Sequence, residues 1–163
     1  MTGPILVLTT GGTIDKQYFD ALSEFQIADS MVATLLRTAR VTQTFRVVEL
    51  MRKDSLELTD ADRALVRATI ESAAETSIVV THGTDTMVET AGALRDLPGR
   101  TVVLVGALAP ARFAESDAAF NLGMAFACAQ VAGEGVYITM NGTVFPAGEV
   151  VKDRSRNAFV PVR

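Results

Sequence analysis

Two short polar stretches in this chain hold the side chains that chemistry needs. Thr9-Thr10-Gly11-Gly12-Thr13 and Thr81-His82-Gly83-Thr84-Asp85-Thr86 each follow an apolar run, and with Tyr18, Asp15, Asp54, Ser55 and the distant Lys152 they supply hydroxyls, a phenol, carboxylates, an imidazole and an ammonium. A threonine hydroxyl is scarcely ionised at neutral pH, so a nucleophile of this type needs a partner to take its proton. Lysine serves as that base where its surroundings keep it poised, and an adjacent carboxylate orients it. Thr84, Lys152 and Asp85 therefore form one candidate triad, and Tyr18 with Thr13 offers a second hydroxyl pair. His82 sits two residues from Thr84 at a strand end and reads as a structural histidine. The plainer reading makes Thr84 or Asp85 the cap of the following helix, with Glu89 in reciprocal contact. Capping needs one such residue, however, and this stretch carries five. The glycines permit sharp turns or close backbone approach. They match neither the dinucleotide fingerprint nor the P-loop.

The elements that position these residues alternate. Apolar strands are expected at 5–9, 44–50, 78–81, 101–105 and 135–139, and helices at 30–39, from Thr59 onward, at 86–97 and at 116–132. The second helix has Thr59 as its cap and Leu65, Val66, Ile70 and Ala73 as its buried face. Residues 13–18 are expected to form a loop over a pocket. Thr143-Val144-Phe145 and Glu149-Val150-Val151-Lys152 are expected to form a ribbon with Lys152 on its returning arm. Strand–helix alternation predicts an α/β sandwich, a mostly parallel sheet covered by helices on both faces. In such sheets the ligand site lies outside the carboxyl ends of the strands. Thr9 to Thr13, Asp54-Ser55, Thr81 to Thr86 and Gly106-Ala107 all follow strands, so all four gather at one edge. Helix capping does not predict that convergence.

Composition narrows the class. At 163 residues and 17.4 kDa, residues 1–163 are expected to form a single domain. A hydrophobic share of 48% against 21% charged residues excludes disorder. A net charge of −4 without a basic cluster argues against nucleic acid and favours a small polar substrate. One cysteine, Cys128, precludes an intrachain disulfide and points to the cytoplasm. One histidine and one cysteine speak against structural zinc. Met1 to Pro4 lead straight into an apolar strand, so neither signal peptide nor membrane span is expected there. The 116–132 helix is apolar nearly all round, which predicts cover by another subunit and a homo-oligomer.

Thr10-Gly11-Gly12-Thr13-Ile14 and His82-Gly83-Thr84-Asp85-Thr86, each after a strand, resemble the two signature motifs of the bacterial-type L-asparaginase family. Asp54-Ser55 and Gly106-Ala107 fall where that family's substrate-binding elements follow their strands, and Glu149-Val150-Val151-Lys152 resembles its lysine segment. The likeness covers the chain as the family's amino-terminal domain, closest to its short single-domain form. It implies a flavodoxin-like three-layer fold and cofactor-free hydrolysis of L-asparagine to L-aspartate and ammonia through an acyl-enzyme. Carried onto this sequence, Thr13 is the nucleophile and Tyr18 assists proton transfer. Thr84, Asp85 and Lys152 form the second constellation; which threonine acts first stays open. Asp54, Ser55, Thr84 and Asp85 belong to substrate binding, with Ser55 and Asp85 on its α-carboxylate and α-ammonium and Ala107 offering backbone contacts near the amide. The larger relatives receive an acidic residue from a neighbouring subunit's second domain, so another carboxylate must take that role here. One methylene discriminates by only about 1–3 kcal/mol, so the resemblance leaves glutamine a possible substrate.

Two rivals follow from the same residues. A non-catalytic amino-acid-binding or regulatory module keeps the pocket without turnover, and an amidotransferase module delivers ammonia to a partner protein. A receiver domain shares the fold but needs an acidic pair after the first strand, where Gly11-Gly12 stands.

Overall fold

Strands with no outward polar side chain must be covered on both faces, and four such runs build the middle of this sheet. The computed structural model describes residues 3–163. Its strands are β1 (Ile5–Gly11), β2 (Lys16–Phe19), β3 (Glu24–Ile27), β4 (Phe45–Lys53), β5 (Ser77–Thr81), β6 (Thr101–Val105), β7 (Gly135–Met140), β8 (Thr143–Pro146), β9 (Val150–Asp153) and β10 (Ala158–Pro161). The helices are α1 (Val32–Thr38), α2 (Asp60–Ser72), α3 (Met87–Ala93) and α4 (Ala118–Val131). The main sheet runs β4-β1-β5-β6-β7-β8, with every pair parallel except β7 with β8. This is the flavodoxin-like α/β architecture. The chain leaves β1 toward β4 and returns to β5 on β1's other side, so the switch point lies between β1 and β5.

Alternation along the strands sorts the core into two layers. Leu6, Leu8, Ile78, Val80, Val102 and Leu104 pack on Val66 and Ile70 of α2 and on Met87 and Ala91 of α3. Ile5, Val7, Val79, Val103 and Val105 pack on Val32 and Leu36 of α1 and on Leu122, Ala125 and Phe126 of α4. Each fully buried aliphatic side chain contributes about 2 kcal/mol. Thr59 caps α2 in a reciprocal box with Asp62, while Leu65 lies exposed rather than on the buried face. Helix α3 ends at Ala93, short of the expected Leu97. There Arg67 of α2 donates to the carbonyls of Ala93, Arg95 and Asp96, and Asp96 takes a left-handed φ of 61°. Helix α4 leaves Phe120 and Val131 exposed. No helix among the described residues is long and apolar enough to cross a membrane.

Two local expectations are corrected. Residues 16–27 form an antiparallel hairpin, with Lys16 opposite Ile27 and Tyr18 opposite Phe25, rather than an irregular loop. Nor do 143–145 and 149–152 pair with each other. β8 joins the main sheet beside β7, and β9 pairs with β10. Local hydropathy could not show this, because an edge strand's partner is chosen by register across the sheet.

The hairpin is tied to α1 through Asp15. Its carbonyl accepts from Ala28 N (2.9 Å) and from Arg112 Nη1 (3.0 Å), and its Oδ1 accepts from Met31 N (2.9 Å). Burial raises the Asp15 carboxyl to about 6, with Met31 N–H, the Ser30 side chain and Arg112 pulling the other way. A raised carboxyl favours the fold while protonated, so this contribution is full below its ordinary value of 3.8 and is lost as pH rises through 6. Asp15→Asn keeps an acceptor for Met31 without the charge. It should raise the thermal midpoint at pH about 7.5, by on the order of 2 kcal/mol in stability, and the gain should vanish near pH 4. Circular-dichroism melts across this range test it; equal shifts at both pH values would overturn it.

Candidate functional site

At the switch point the turns after β1 and β5 meet almost without side chains between them. Gly12 has φ 87°, and a Cβ there would lie 2.5 Å from the Gly83 amide nitrogen. A residue with a side chain would force the two polar stretches apart. Hydrogen bonds secure the junction: Thr10 Oγ1 donates to Thr81 O (2.8 Å), Gly12 N to Lys53 O (3.1 Å), and Thr86 Oγ1 to Ser55 O (2.7 Å). Thr86, with no side-chain capping bond, starts α3. The capping reading of Thr84 and Asp85 is thereby excluded, and Ser55 is drawn in from the end of β4.

β9 brings Lys152 to this edge. Its Nζ donates to Thr84 Oγ1 at 2.7 Å and to Asp85 Oδ1 at 2.9 Å. Thr84 is 7% exposed, and Lys152 and Asp85 remain partly accessible. Arg154 Nη2 lies 3.6 Å from the same Asp85 oxygen. The result is a partly buried hydroxyl–ammonium–carboxylate row beside the β1–β5 junction. Because the ammonium occupies a lone pair on Thr84, the threonine's own O–H is left to point elsewhere.

His82 is 1% exposed and sealed from this row. Its Nδ1 lies 2.7 Å from Gly83 O and its Nε2 2.7 Å from Thr90 Oγ1. A carbonyl only accepts, so Nδ1 carries the proton and the Thr90 hydroxyl donates to Nε2. Arg63 Nε in turn donates to Thr90 Oγ1 (3.1 Å). This chain fixes the Gly83 carbonyl from behind. Burial pushes the imidazole down to about 4, against the raising effect of the Gly83 carbonyl.

Other named residues stand apart. The Asp54 carboxylate accepts from Leu56 N (3.1 Å) and pairs with Lys16 (3.0 Å). Burial pushes its carboxyl up, but those two partners outweigh it and hold it below the ordinary range. Its side chain is therefore a turn cap and hairpin anchor. Thr13, with Lys16, Phe25, Pro110 and Phe113, lines a mostly apolar depression of about 260 Å³. Tyr18 is 46% exposed on the hairpin, its ring 5.2 Å from Phe25, which meets Phe113 at 5.9 Å. No hydrogen bond joins the Tyr18 and Thr13 hydroxyls among the described residues. Ala107, buried at the start of the β6–α4 connection, packs with Ile14 and Ala118.

Sequence reading overlooked four residues: Thr90 and Arg63 behind His82, and Asp117 and Asn121, which bind the turn around Ala107. A signal existed for the last. Asn121 is a lone amide on the inner face of an otherwise apolar helix, and a buried amide needs partners.

Residues 4–160 match the family model described as "Asparaginase, N-terminal". An L-asparaginase of Thermococcus kodakarensis is 32% identical over 167 residues, covering 95% of this chain and 50% of that protein. A glutamyl-tRNA(Gln) amidotransferase subunit from Methanococcus vannielii is 42% identical over 81 residues, 48% of this chain and 19% of that one. Among solved structures, L-asparaginase I of Vibrio cholerae superposes with a TM-score of 0.87 at 25% identity, over 99% of this chain and 52% of its own. The chain thus spans about half or less of each of these relatives.

The His82 environment carries its own expectation. A depressed imidazole favours the fold while neutral, so its contribution is full above the ordinary value of 6.5 and is lost as pH falls through 6.5 toward 4. Its full loss amounts to on the order of 3 kcal/mol. His82→Gln should be less stable at neutral pH yet flatter in acid, read as urea midpoints at pH about 7 and 4.5 on an Asp15→Asn background. An unchanged acid slope would overturn this account.

Proposed function

The chain belongs to the asparaginase amino-terminal family, and from that premise we propose that it hydrolyses L-asparagine to L-aspartate and ammonia. The observation that supports this reading best is the contact of Lys152 with both Thr84 and Asp85, because a hydroxyl–amine–carboxylate row can activate a hydroxyl or a water for amide hydrolysis. Thr13 attacks the side-chain amide carbon. The proton that Thr13 gives up is passed to the leaving nitrogen as the tetrahedral adduct collapses, so ammonia departs and an aspartyl ester remains on Thr13. Water activated at Thr84 then cleaves the ester. With Lys152 as the free amine the Thr84–Lys152 hydrogen bond reverses: Thr84 passes its proton to Nζ and takes one from the water, Asp85 stabilises the ammonium so formed, and that proton returns to the Thr13 oxygen as the ester breaks. The reverse order of the two threonines uses the same groups.

Ser55 and Asp85 hold the amino-acid end of the substrate, and the peptide groups of Ala107 meet its amide. Tyr18, whose hydroxyl has no hydrogen-bond partner among the described residues and whose ring packs on Phe25 beside the depression that Thr13 lines, assists proton transfer from the hairpin. Asp54 acts through its turn, by placing Ser55 rather than by touching the substrate. These roles apply to residues 1–163 as one catalytic domain.

Ammonia release from L-asparagine tests the proposal. Thr13→Ala and Lys152→Met should each lower kcat/KM by at least about 10³-fold, with folding preserved. Full activity in both variants would overturn the assigned roles. L-Aspartate binding by calorimetry without turnover would favour a binding module. Weak activity with a stably co-purifying partner would favour the amidotransferase reading, which the Methanococcus vannielii similarity supports.

A further inference from the structure

Both peptide planes that flank Ala107 are held by side chains at one end of α4. Asn121 Nδ2 donates to Gly106 O at 3.0 Å. Leu108 N donates to both oxygens of Asp117 at 3.0 Å, and Ala109 N donates to Asp117 Oδ1 at 3.0 Å. The two side chains are themselves joined, Asn121 Nδ2 lying 2.8 Å from Asp117 Oδ2. A peptide group is planar. Fixing Gly106 O therefore aims the Ala107 N–H, and fixing Leu108 N–H aims the Ala107 carbonyl. Those two opposite poles have no hydrogen-bond partner among the described residues.

This arrangement is not ordinary helix capping. Asp117 occupies the N-cap position of α4 yet makes no capping bond to its own helix; the Ser116 hydroxyl instead accepts from Ala118 N (3.1 Å) and donates to Ala109 O (2.9 Å). An Asp at this position ordinarily caps its helix, and here that carboxylate is committed to the turn. The turn in turn presses on the candidate site. A Cβ on Gly106 would collide with the His82 carbonyl and approach Thr84 Cγ2 to 3.3 Å. Any rotation of the 106–109 segment thus shifts the surroundings of Thr84 as well as the direction of the Ala107 carbonyl.

We infer that Asp117 and Asn121 are positioning residues for amide hydrolysis, aiming the Ala107 carbonyl at the N–H of the scissile amide and holding the turn against Thr84. This role rests on the hydrolysis reading and deepens it. L-Aspartate has no side-chain amide N–H to give, so its binding does not depend on that carbonyl. Misplacing a group by about 1 Å costs up to about 10²-fold in rate.

The test is Asp117→Asn, which preserves shape but sets an NH2 against backbone N–H groups, together with Asn121→Ala. Each is assayed for ammonia release from L-asparagine and for L-aspartate affinity by calorimetry. The expected result is a kcat at least about tenfold lower with the aspartate Kd changed less than about threefold. Unchanged kcat in both variants would overturn the inference. Parallel loss of turnover and aspartate binding would also overturn it, by showing a merely structural role. An inactive parent protein would sink the hydrolysis reading itself, and this role with it; that outcome is read on the parent alone.

Discussion

The candidate site depends on the near-contact of two backbones, Gly12 after β1 and Gly83 after β5. Parallel strands side by side deliver their following turns to one edge, but side chains would ordinarily keep those turns apart. With no Cβ on either residue, the turns that lead into Thr13 and Thr84 come into near-contact. Everything else at that edge arranges itself around this approach. Thr10 bonds across it to Thr81 O, Ser55 O takes the Thr86 hydroxyl, and Lys152 reaches it from the chain's far end.

Charge is distributed with similar economy. The carboxylates near the junction are partnered in different ways: Asp85 with Lys152 and Arg154, Asp54 with Lys16, and Asp15 with the amide of Met31. His82 takes the opposite course. It is neutral, buried and bonded at both nitrogens, and it serves the backbone rather than the solvent-facing row. A residue type that commonly does chemistry near pH 7 is here withdrawn from it by burial. Conversely, the ordinary-looking Asp117 and Asn121 control two peptide planes in the site.

Much of the fold was legible because each cue was local. Unbroken apolar runs marked β1, β5, β6 and β7, Thr59 with Asp62 marked the start of α2, and the order of elements required a covered parallel sheet. The convergence of the Gly12 and Gly83 stretches followed from that topology. Less legible were features set by distant partners. The end of α3 depends on Arg67 from another helix, and the pairing of β8 and β9 depends on which edges the sheet leaves open. Tyr18 was nameable as a phenol near Thr13, but its ring packs on Phe25 across the hairpin, a pairing fixed by register.

The sequence by itself determined which chemical groups are present, the α/β class and the edge at which they gather, because hydrophobic periodicity and glycine placement act over a few residues. Only the tertiary structure decided the company each group keeps. Lys152 meets Thr84 and Asp85 across nearly half the chain, Asp54 turns to Lys16, and α4 reaches back to orient Ala107. Such contacts are chosen by packing of whole elements in three dimensions, and no spacing along the chain records them.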